Sequence, residues 1–383
     1  MTRIFRPVQR VLAIADKEWI HIRRDSRSLI LSFFAPALMV LLFGYALTMD
    51  VKHVSMAVIN HDRTILTRQM LERFSHNEYI SVHSYIDSYK DADVLINSGE
   101  AVMVLVIPSG FTDKVKTGTK ATVQVLVDGS DSMSSTVALG YVQAILAQFN
   151  LDVQKKALAD IGVTGMNPAV DMRNRIWYNE ELQSKNFIIP GIIVIILAII
   201  SALITSLTIS REWERGTMES LITTPVRPGE VMAGKIIPYL VIGTFDVVMT
   251  FLVGHFIFDI QIRGSFIELL SLSLLFLTGT SALGIVISSV TRVQVLSIQA
   301  AMIATYLPSF ILSGFIFPIK NMPLVIRGVT YLIPARYMIA LIKGIAMKGV
   351  AATLLSTQII FMLLFACAML FLGMKKIRLT IPD

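Results

Sequence analysis

Phe187-Ile-Ile-Pro-Gly-Ile-Ile-Val-Ile-Ile-Leu-Ala-Ile-Ile-Ser-Ala-Leu-Ile-Thr-Ser-Leu-Thr-Ile209 carries no charged residue. About twenty apolar residues cross a bilayer as a helix, so a run of this length reads as a membrane span. Five further stretches have similar length and apolar content: Leu29–Thr48, Ile236–Phe258, Ile267–Ser288, Leu296–Ile316 and Leu354–Met374. Every backbone polar group in lipid must be paired, which favours helices. The runs do not alternate as barrel strands would. Composition agrees. Of 383 residues 54% are hydrophobic and 16% charged, whereas a soluble domain is charged at about a quarter of its positions. The expected fold class is a polytopic α-helical membrane protein with six transmembrane helices.

On the N-terminal side of the quoted span lie the mostly polar residues Asp50–Lys185. That is too long for a structureless loop and reads as an α/β domain inserted between the first and second spans. Val54–Ile59, Tyr79–His83, Ala101–Ile107 and Thr122–Val127 have strand character. Thr64–Phe74 and Asp91–Ser98 read as helices, and Asp131 or Ser132 caps a long helix reaching about Ala159. A last strand is expected at Arg173–Tyr178. The expected boundaries are 1–28 for the N-terminus, 29–49 for the first span, 50–186 for the insert and 187–209 for the second span. A charged connector follows at 210–235, then spans three to six over 236–375 and a tail at 376–383.

The formal net charge is +7, and its placement matters more than its size. Arg3, Arg6, Arg10, Lys17, Arg23, Arg24 and Arg27 precede the first span, and Lys375, Lys376 and Arg378 follow the last. By the positive-inside rule both termini are cytoplasmic, which an even number of spans permits. The insert is then extracytoplasmic. Lys320, Arg327, Arg336, Lys343 and Lys348 oppose this orientation, but the N-terminal cluster is denser. No basic and aromatic cluster sits on a soluble face, so nucleic acid is not an expected partner. The first apolar run starts too late and is too long for a signal peptide. The single cysteine, Cys367, falls in the last span, so no intrachain disulfide forms. Val8, Val11, Leu12, Ala15, Trp19 and Ile22 follow helical spacing, with Arg10, Lys17 and Arg23 among the polar positions. This suits an amphipathic helix in the inner interface; the alternative is a helical extension of the first span.

The connector reads Arg211-Glu-Trp-Glu-Arg-Gly-Thr-Met-Glu-Ser-Leu-Ile-Thr-Thr-Pro-Val-Arg-Pro-Gly-Glu-Val-Met-Ala-Gly-Lys235. Arg215-Gly216 marks a break, Thr217–Ile222 a short helix stopped by Pro225, and Glu230–Lys235 a helix entering the membrane. Such a helix can transmit a push from a soluble motor into two spans; a solvated connector is the other reading. The stretch resembles the signature of the ABC-2 type permeases. Trp177–Gly191 resembles that family's entry into the second span. Leu312–Pro318, Asn321-Met-Pro323 and Tyr331–Tyr337 resemble its fifth-span exit and outer hairpin. The resemblance covers essentially the whole chain and is nearest to bacterial multidrug-type exporters with a large extracytoplasmic insert.

The resemblance implies that Glu212, Glu214, Arg215, Gly216, Thr217, Glu219 and Pro225 couple the spans to an ATPase. It implies a cytoplasmic ABC ATPase subunit carrying ATP and Mg, a second permease subunit (identical or a paralogue), contact with membrane lipids, and a periplasmic adaptor where a second membrane exists. The location implied is the bacterial inner membrane. The cargo class is hydrophobic or amphipathic, and the chain itself has no catalytic site. Val8–Arg24 and Val290–Val295 are the fallback contacts for the motor.

Gly229-Glu-Val-Met-Ala-Gly234-Lys235-Ile236 follows the phosphate-loop pattern up to its last position, where Ile236 replaces the hydroxyl residue that would hold magnesium. The chain is therefore expected to bind no cofactor. The six histidines form no ligand pair, and Asp128-Gly-Ser-Asp131 lacks the later ligands of a calcium loop, so no metal is expected either. Asp246, inside the third span, is costly there and faces protein or water; it lines the cargo path, pairs across a subunit interface, or is a protonated or water-contacted aspartate near one end of a tilted helix. Pro318, Pro323 and Pro334, with Arg336, belong to a re-entrant outer hairpin over about 317–350, because the apolar residues between them argue against full exposure. The leading function is an ATP-driven exporter permease. The alternative is a mechanotransmitter that acts on an extracytoplasmic partner without moving cargo. A secondary transporter is disfavoured, since buried coupling charges are few.

Overall fold

The computed structural model describes residues 2–46, 54–77, 79–130, 132–160 and 184–377. The expected strand Arg173–Tyr178, the first half of the Trp177–Gly191 motif, Asp131 and the end of the tail fall outside them. Helices α1 (Thr2–Arg24) and α2 (Ser26–Ala46) open the chain. The insert follows as β1 (Val54–Asn60), α3 (Ile65–Ser75), β2 (Ile80–Ile86), α4 (Tyr89–Asn97), β3 (Met103–Ile107), α5 (Phe111–Lys116), β4 (Gln124–Val127) and α6 (Ser132–Asp160). Then come α7 (Lys185–Glu214), α8 (Thr217–Ile222), α9 (Pro228–Phe256), α10 (Phe266–Thr291), α11 (Gln294–Ile311), α12 (Leu324–Val329), α13 (Pro334–Ile342) and α14 (Ser356–Lys376). The chain divides into a helical unit, 1–49 with 176–383, and a second unit, 50–175.

In the helical unit α7 is the axis. Every residue from Ile188 to Ile200 is buried, as expected of a helix apolar all round, and α2, α9, α10 and α11 pack against it. Small and hydroxyl residues allow the close α7–α10 seam, the usual solution where helices meet without a hydrophobic driving force. Gly284 of α10 lies against the Thr205 hydroxyl and the Ala202 carbonyl of α7, leaving no room for a Cβ. Ser201 and Ser281 hydroxyls are 2.8 Å apart, and Thr280 donates to Ser201 at 3.1 Å.

Among the described residues five helices are long and apolar enough to cross a membrane: α7, α9, α10, α11 and α14 with the turn before it. The first expected span falls on α2, whose described apolar part, Ser32–Ala46, is shorter. A sixth crossing arises only if Leu324–Leu332 and Pro334–Met347 count together, and these meet at 83°. The bend sits where proline was expected to break the chain: Pro323 precedes α12, and Pro334 occupies the first turn of α13, where its missing N–H costs nothing. Arg336 is held there, its guanidinium 3.9 Å from the Tyr331 ring centroid and bonded to the Thr330 hydroxyl.

The insert is an α/β unit. Its sheet has the order β2-β1-β3-β4, parallel except for the antiparallel β3–β4 pair. Alternation along each strand separates two cores. Val54, Met56, Val58, Met103, Leu105 and Ile107 pack with α3 and α6. Ala57, Ile59, Val104 and Val106 pack with α4. Thr64 and Ser88 cap α3 and α4 by accepting backbone N–H bonds, as such residues do. The short helix α5 lies outside the elements expected from the sequence; it enters from Gly110 at φ 70°, directly after Pro108-Ser109. Asp62 organises the loop before α3. Its Oδ2 accepts from the Thr112 amide (3.1 Å), the Thr112 hydroxyl and the Thr64 hydroxyl (3.1 Å). Burial pushes its carboxyl up, but the bonds from Thr112 and Thr64 outweigh this and leave it below the ordinary value of 3.8.

Candidate coupling site

Helix α7 does not stop at the expected end of the second span. It continues through Arg211-Glu-Trp-Glu214, so the first residues of the connector are the last turn of the span itself. Arg215 closes the helix, and Gly216 turns the chain at φ 71°, a conformation that favours glycine. Then α8 begins. Met218, only 1% exposed, anchors α8 in an apolar cluster with Ile14, Ile209, Val231, Met232 and Ile285. Pro228 sits in the first turn of α9, and the Glu230 carboxylate accepts from the Arg227 amide at 2.9 Å.

The connector is clamped by α1. Helix α1 ends at Arg24 and α2 begins at Ser26, with Asp25 alone between them. It packs on α9 at Gly234, where an added Cβ would meet Ile14 Cβ at 2.7 Å and the Val11 carbonyl at 2.9 Å. This turns Ile14, Ala15, Glu18 and Ile22 inward, while Val8 and Leu12, expected on the same apolar face, are exposed.

Beside this crossing lies a buried charge cluster. Lys235, 1% exposed, donates to Glu18 Oε2 at 3.1 Å, Glu212 Oε1 at 3.0 Å and the Thr208 carbonyl at 3.4 Å. Tyr239 donates to Glu18 Oε1 at 2.8 Å. Lys17 donates to Glu212 Oε1 at 3.1 Å. Two carboxylates thus meet two ammonium groups, and the cluster is neutral in sum. Each acid lies on a different helix from the buried lysine, so the cluster links α1, α7 and α9. Glu212 Oε2 has no hydrogen-bond partner among the described residues. Outside the cluster Arg10 donates to the Pro225 carbonyl at 2.5 Å and approaches Glu230 at 3.5 Å, and Arg211 approaches Asp25 at 3.6 Å.

A second clamp comes from the α10–α11 turn. Glu214 Oε1 accepts from the Gln294 amide at 2.7 Å, and its Oε2 from the Gln294 side chain. The Arg292 guanidinium lies 4.5 Å from the Trp213 ring centroid. Two segments named separately in the sequence, Val8–Arg24 and Val290–Val295, therefore both touch the connector.

The seven expected coupling residues divide accordingly. Glu214, Arg215, Gly216, Thr217, Glu219 and Pro225 are exposed. Glu212 is not: expected to face the motor from the connector, it is 8% exposed, because the helix extends and turns it toward Lys235. Glu18, Lys17, Tyr239 and Lys235 were missed as members of a site. The available signal was an acid amid inward apolar positions of α1 and a lysine opening an apolar helix. The segment Gly229–Lys235 is helical and its lysine is committed to carboxylates, which is not a phosphate-cradling loop.

Asp246 lies elsewhere on α9. It is 3% exposed, its Oδ1 lacks a partner among the described residues, and it borders a water-sized cavity with Ser201, Tyr239 and Leu277. Pro318, Pro323, Pro334 and Arg336 are in the bent hairpin and are not brought to the connector. No group of three or more His, Cys, Asp and Glu residues able to hold a metal occurs among the described residues.

Apolar helices packed around a buried axis, with a clamped charged turn between two of them, define a polytopic membrane permease. The chain belongs to the ABC-2 family of transporter proteins, whose family model matches residues 27–375. It is 34% identical to "Probable multidrug ABC transporter permease YbhS" of Escherichia coli strain K12 over 371 residues, 97% of this chain and 96% of that protein. It is 25% identical to the YbhR permease of the same organism, over 88% of this chain and 90% of that protein. Linearmycin resistance permease protein LnrN of Bacillus subtilis strain 168 is 21% identical over 97% of this chain and all of that protein.

Proposed function

We propose that the chain is the permease subunit of an exporter that moves hydrophobic or amphipathic compounds, with ATP and Mg bound on a separate ABC ATPase subunit. The carrying observation is the clamped connector. A rigid turn bolted to α1, α7, α9 and the α10–α11 turn passes displacement to several spans at once, and a motor can bias those spans only through contacts that differ between its nucleotide states. Glu214, Arg215, Gly216, Thr217, Glu219 and Pro225 offer the exposed face to that motor, while Glu212 works from inside through Lys235. The multidrug names of YbhS and YbhR support the cargo class.

In this reading the termini and connector are cytoplasmic, the insert extracytoplasmic, and the membrane is the bacterial inner membrane. A second permease subunit completes the path, and a periplasmic adaptor meets the insert where an outer membrane exists. Asp246, enclosed by α7, α9 and α10 of one chain, suits the path better than a subunit interface. The hairpin with Pro318, Pro323, Pro334 and Arg336 closes the outer end. The decisive experiment reconstitutes the permease with its ATPase in vesicles and follows a labelled amphiphile. ATP-dependent movement, with amphiphile-stimulated ATPase activity, is expected. ATP-driven rearrangement of the insert with no amphiphile moved would replace this reading by mechanotransmission. Orientation is read by placing a cysteine within Lys114–Lys120 of a Cys367-free variant. An impermeant thiol reagent should label it in intact spheroplasts; protection there with labelling of Arg211–Lys235 reverses the topology.

A further inference from the structure

The insert contains a cleft of about 480 Å³ between α5, the turn into β4 and the last turns of α6. Its walls include Phe111, Val115, Val123, Leu146, Phe149 and Val153. Phe111 and Phe149 also belong to the buried core between the sheet and α3 with α6, so the deep end of the cleft is fixed by packing. The rim differs. Lys120, Thr119 and Gln154 are exposed, and none of the described lining residues is acidic. Lys114 and Lys116 stand on α5, opposed by Asp113 alone on that helix. No ion pair engages Lys114, Lys116 or Lys120 among the described residues.

An apolar slot with one lysine, Lys120, at its rim and no acid among its described lining residues selects a molecule with the complementary asymmetry. We propose that this cleft binds a single-chain amphiphile with an anionic head: the acyl chain lies along Val115, Phe149 and Val153, and the head meets Lys120. The volume lies within the ~300–1,000 Å³ range of small-molecule pockets, toward its lower end, which suits one chain rather than two. Desolvation of the chain supplies the attraction, and Lys120 with its neighbours supplies the choice of head. A helical peptide from a partner protein is the competing occupant, but it would bring no requirement for negative charge at the mouth. The binding claim stands apart from the export reading, since occupancy can be measured without ATPase or transport.

The test uses the full chain in lipid nanodiscs and a diazirine-bearing palmitate, with adducts mapped by mass spectrometry. Adducts are expected in peptides covering 111–123 and 146–157, competed by palmitate and not by hexadecanol. Lys120→Glu, at an exposed position, should lower this labelling about three- to fivefold, the scale of one exposed charge pair. Val153→Trp, which fills the slot, should remove it, and an unchanged melting transition in both variants shows that the unit remains folded. Adducts confined to α7–α14 would mean bilayer partitioning only and overturn the proposal. So would equal competition by hexadecanol, the result for an apolar groove suited to a peptide, or labelling that neither variant changes.

Discussion

Lys235 and Asp246 lie on the same helix, both all but sealed from solvent, and they are treated oppositely. The lysine is met by two carboxylates from two other helices. The aspartate has an oxygen with no partner among the described residues and a water-sized cavity beside it. A buried charge that is matched fixes the arrangement of the elements that match it. A buried carboxyl left open is costly and marks a candidate functional group. In the proposed reading the lysine is a structural staple and the aspartate a working group on one helix, and substitutions test that distinction.

The largest effect is expected from Lys235→Met. Glu18 is left buried without a cation and Glu212 keeps only the half-exposed Lys17, at a cost of about 3–5 kcal/mol, read as a lower thermal transition of the detergent-solubilised chain. Adding Glu18→Gln and Glu212→Gln should recover much of that loss. If Lys235→Met alone melts like the native chain, the cluster is not a staple.

Glu212→Ala comes next, at about 2–3 kcal/mol, because Lys235 keeps Glu18 while Glu212 is lost. A purely external coupling residue would show under ~0.5 kcal/mol, so melting curves decide where Glu212 acts.

Asp62 in the insert gives an intermediate case, partnered by hydroxyls and an amide rather than by a cation. Asp62→Ala should cost the insert about 1–2 kcal/mol. Since the native carboxyl titrates below its ordinary 3.8, its contribution is whole above that value and is lost as the pH falls through the lowered native value. Acid titration of native and variant chains should therefore converge only under strongly acid conditions. A constant gap across all pH values would refute the assignment.

Asp246→Asn keeps shape and removes the charge. Stability should change by less than ~1 kcal/mol, while cargo-stimulated ATPase activity of the assembled transporter falls. Unchanged stimulation would place Asp246 with the structural residues and dissolve the contrast. The smallest thermodynamic effect is expected for Glu214→Ala: an unchanged melting transition at an exposed position, with insertion and assembly intact and stimulated ATPase activity lowered through the lost hold on Gln294.

Five of the six expected spans were readable because apolar length alone identifies them, and the insert's central strand because Met103–Ile107 is a short continuous apolar run, buried at every position, of the kind a strand covered on both faces shows. The break at Gly216 and the bends at Pro323 and Pro334 were readable from backbone chemistry. The cluster was not. Glu18 and Lys235 are separated by 217 residues, and no local period signals a contact at that distance. Arg10 and Lys17 looked like interfacial anchors because a helix facing another helix and one facing headgroups share the same amphipathic pattern. Glu212 was placed outside because a charged residue after a span normally marks its end, whereas here a buried cation lets the helix carry a carboxylate further. The short helix α5 was hidden by a turn signature that fits either a loop or a helix start.

The distance between Glu18 and its lysine also has a consequence for biosynthesis. A ribosome adding about 5–20 residues each second needs roughly ten to forty seconds to travel from one to the other. The polypeptide between them includes the complete insert, so that unit has time to fold while α1 is still without its seat. The first helix made is thus among the last to be docked, and a nascent chain halted before Lys235 holds Glu18 with nothing to neutralise it.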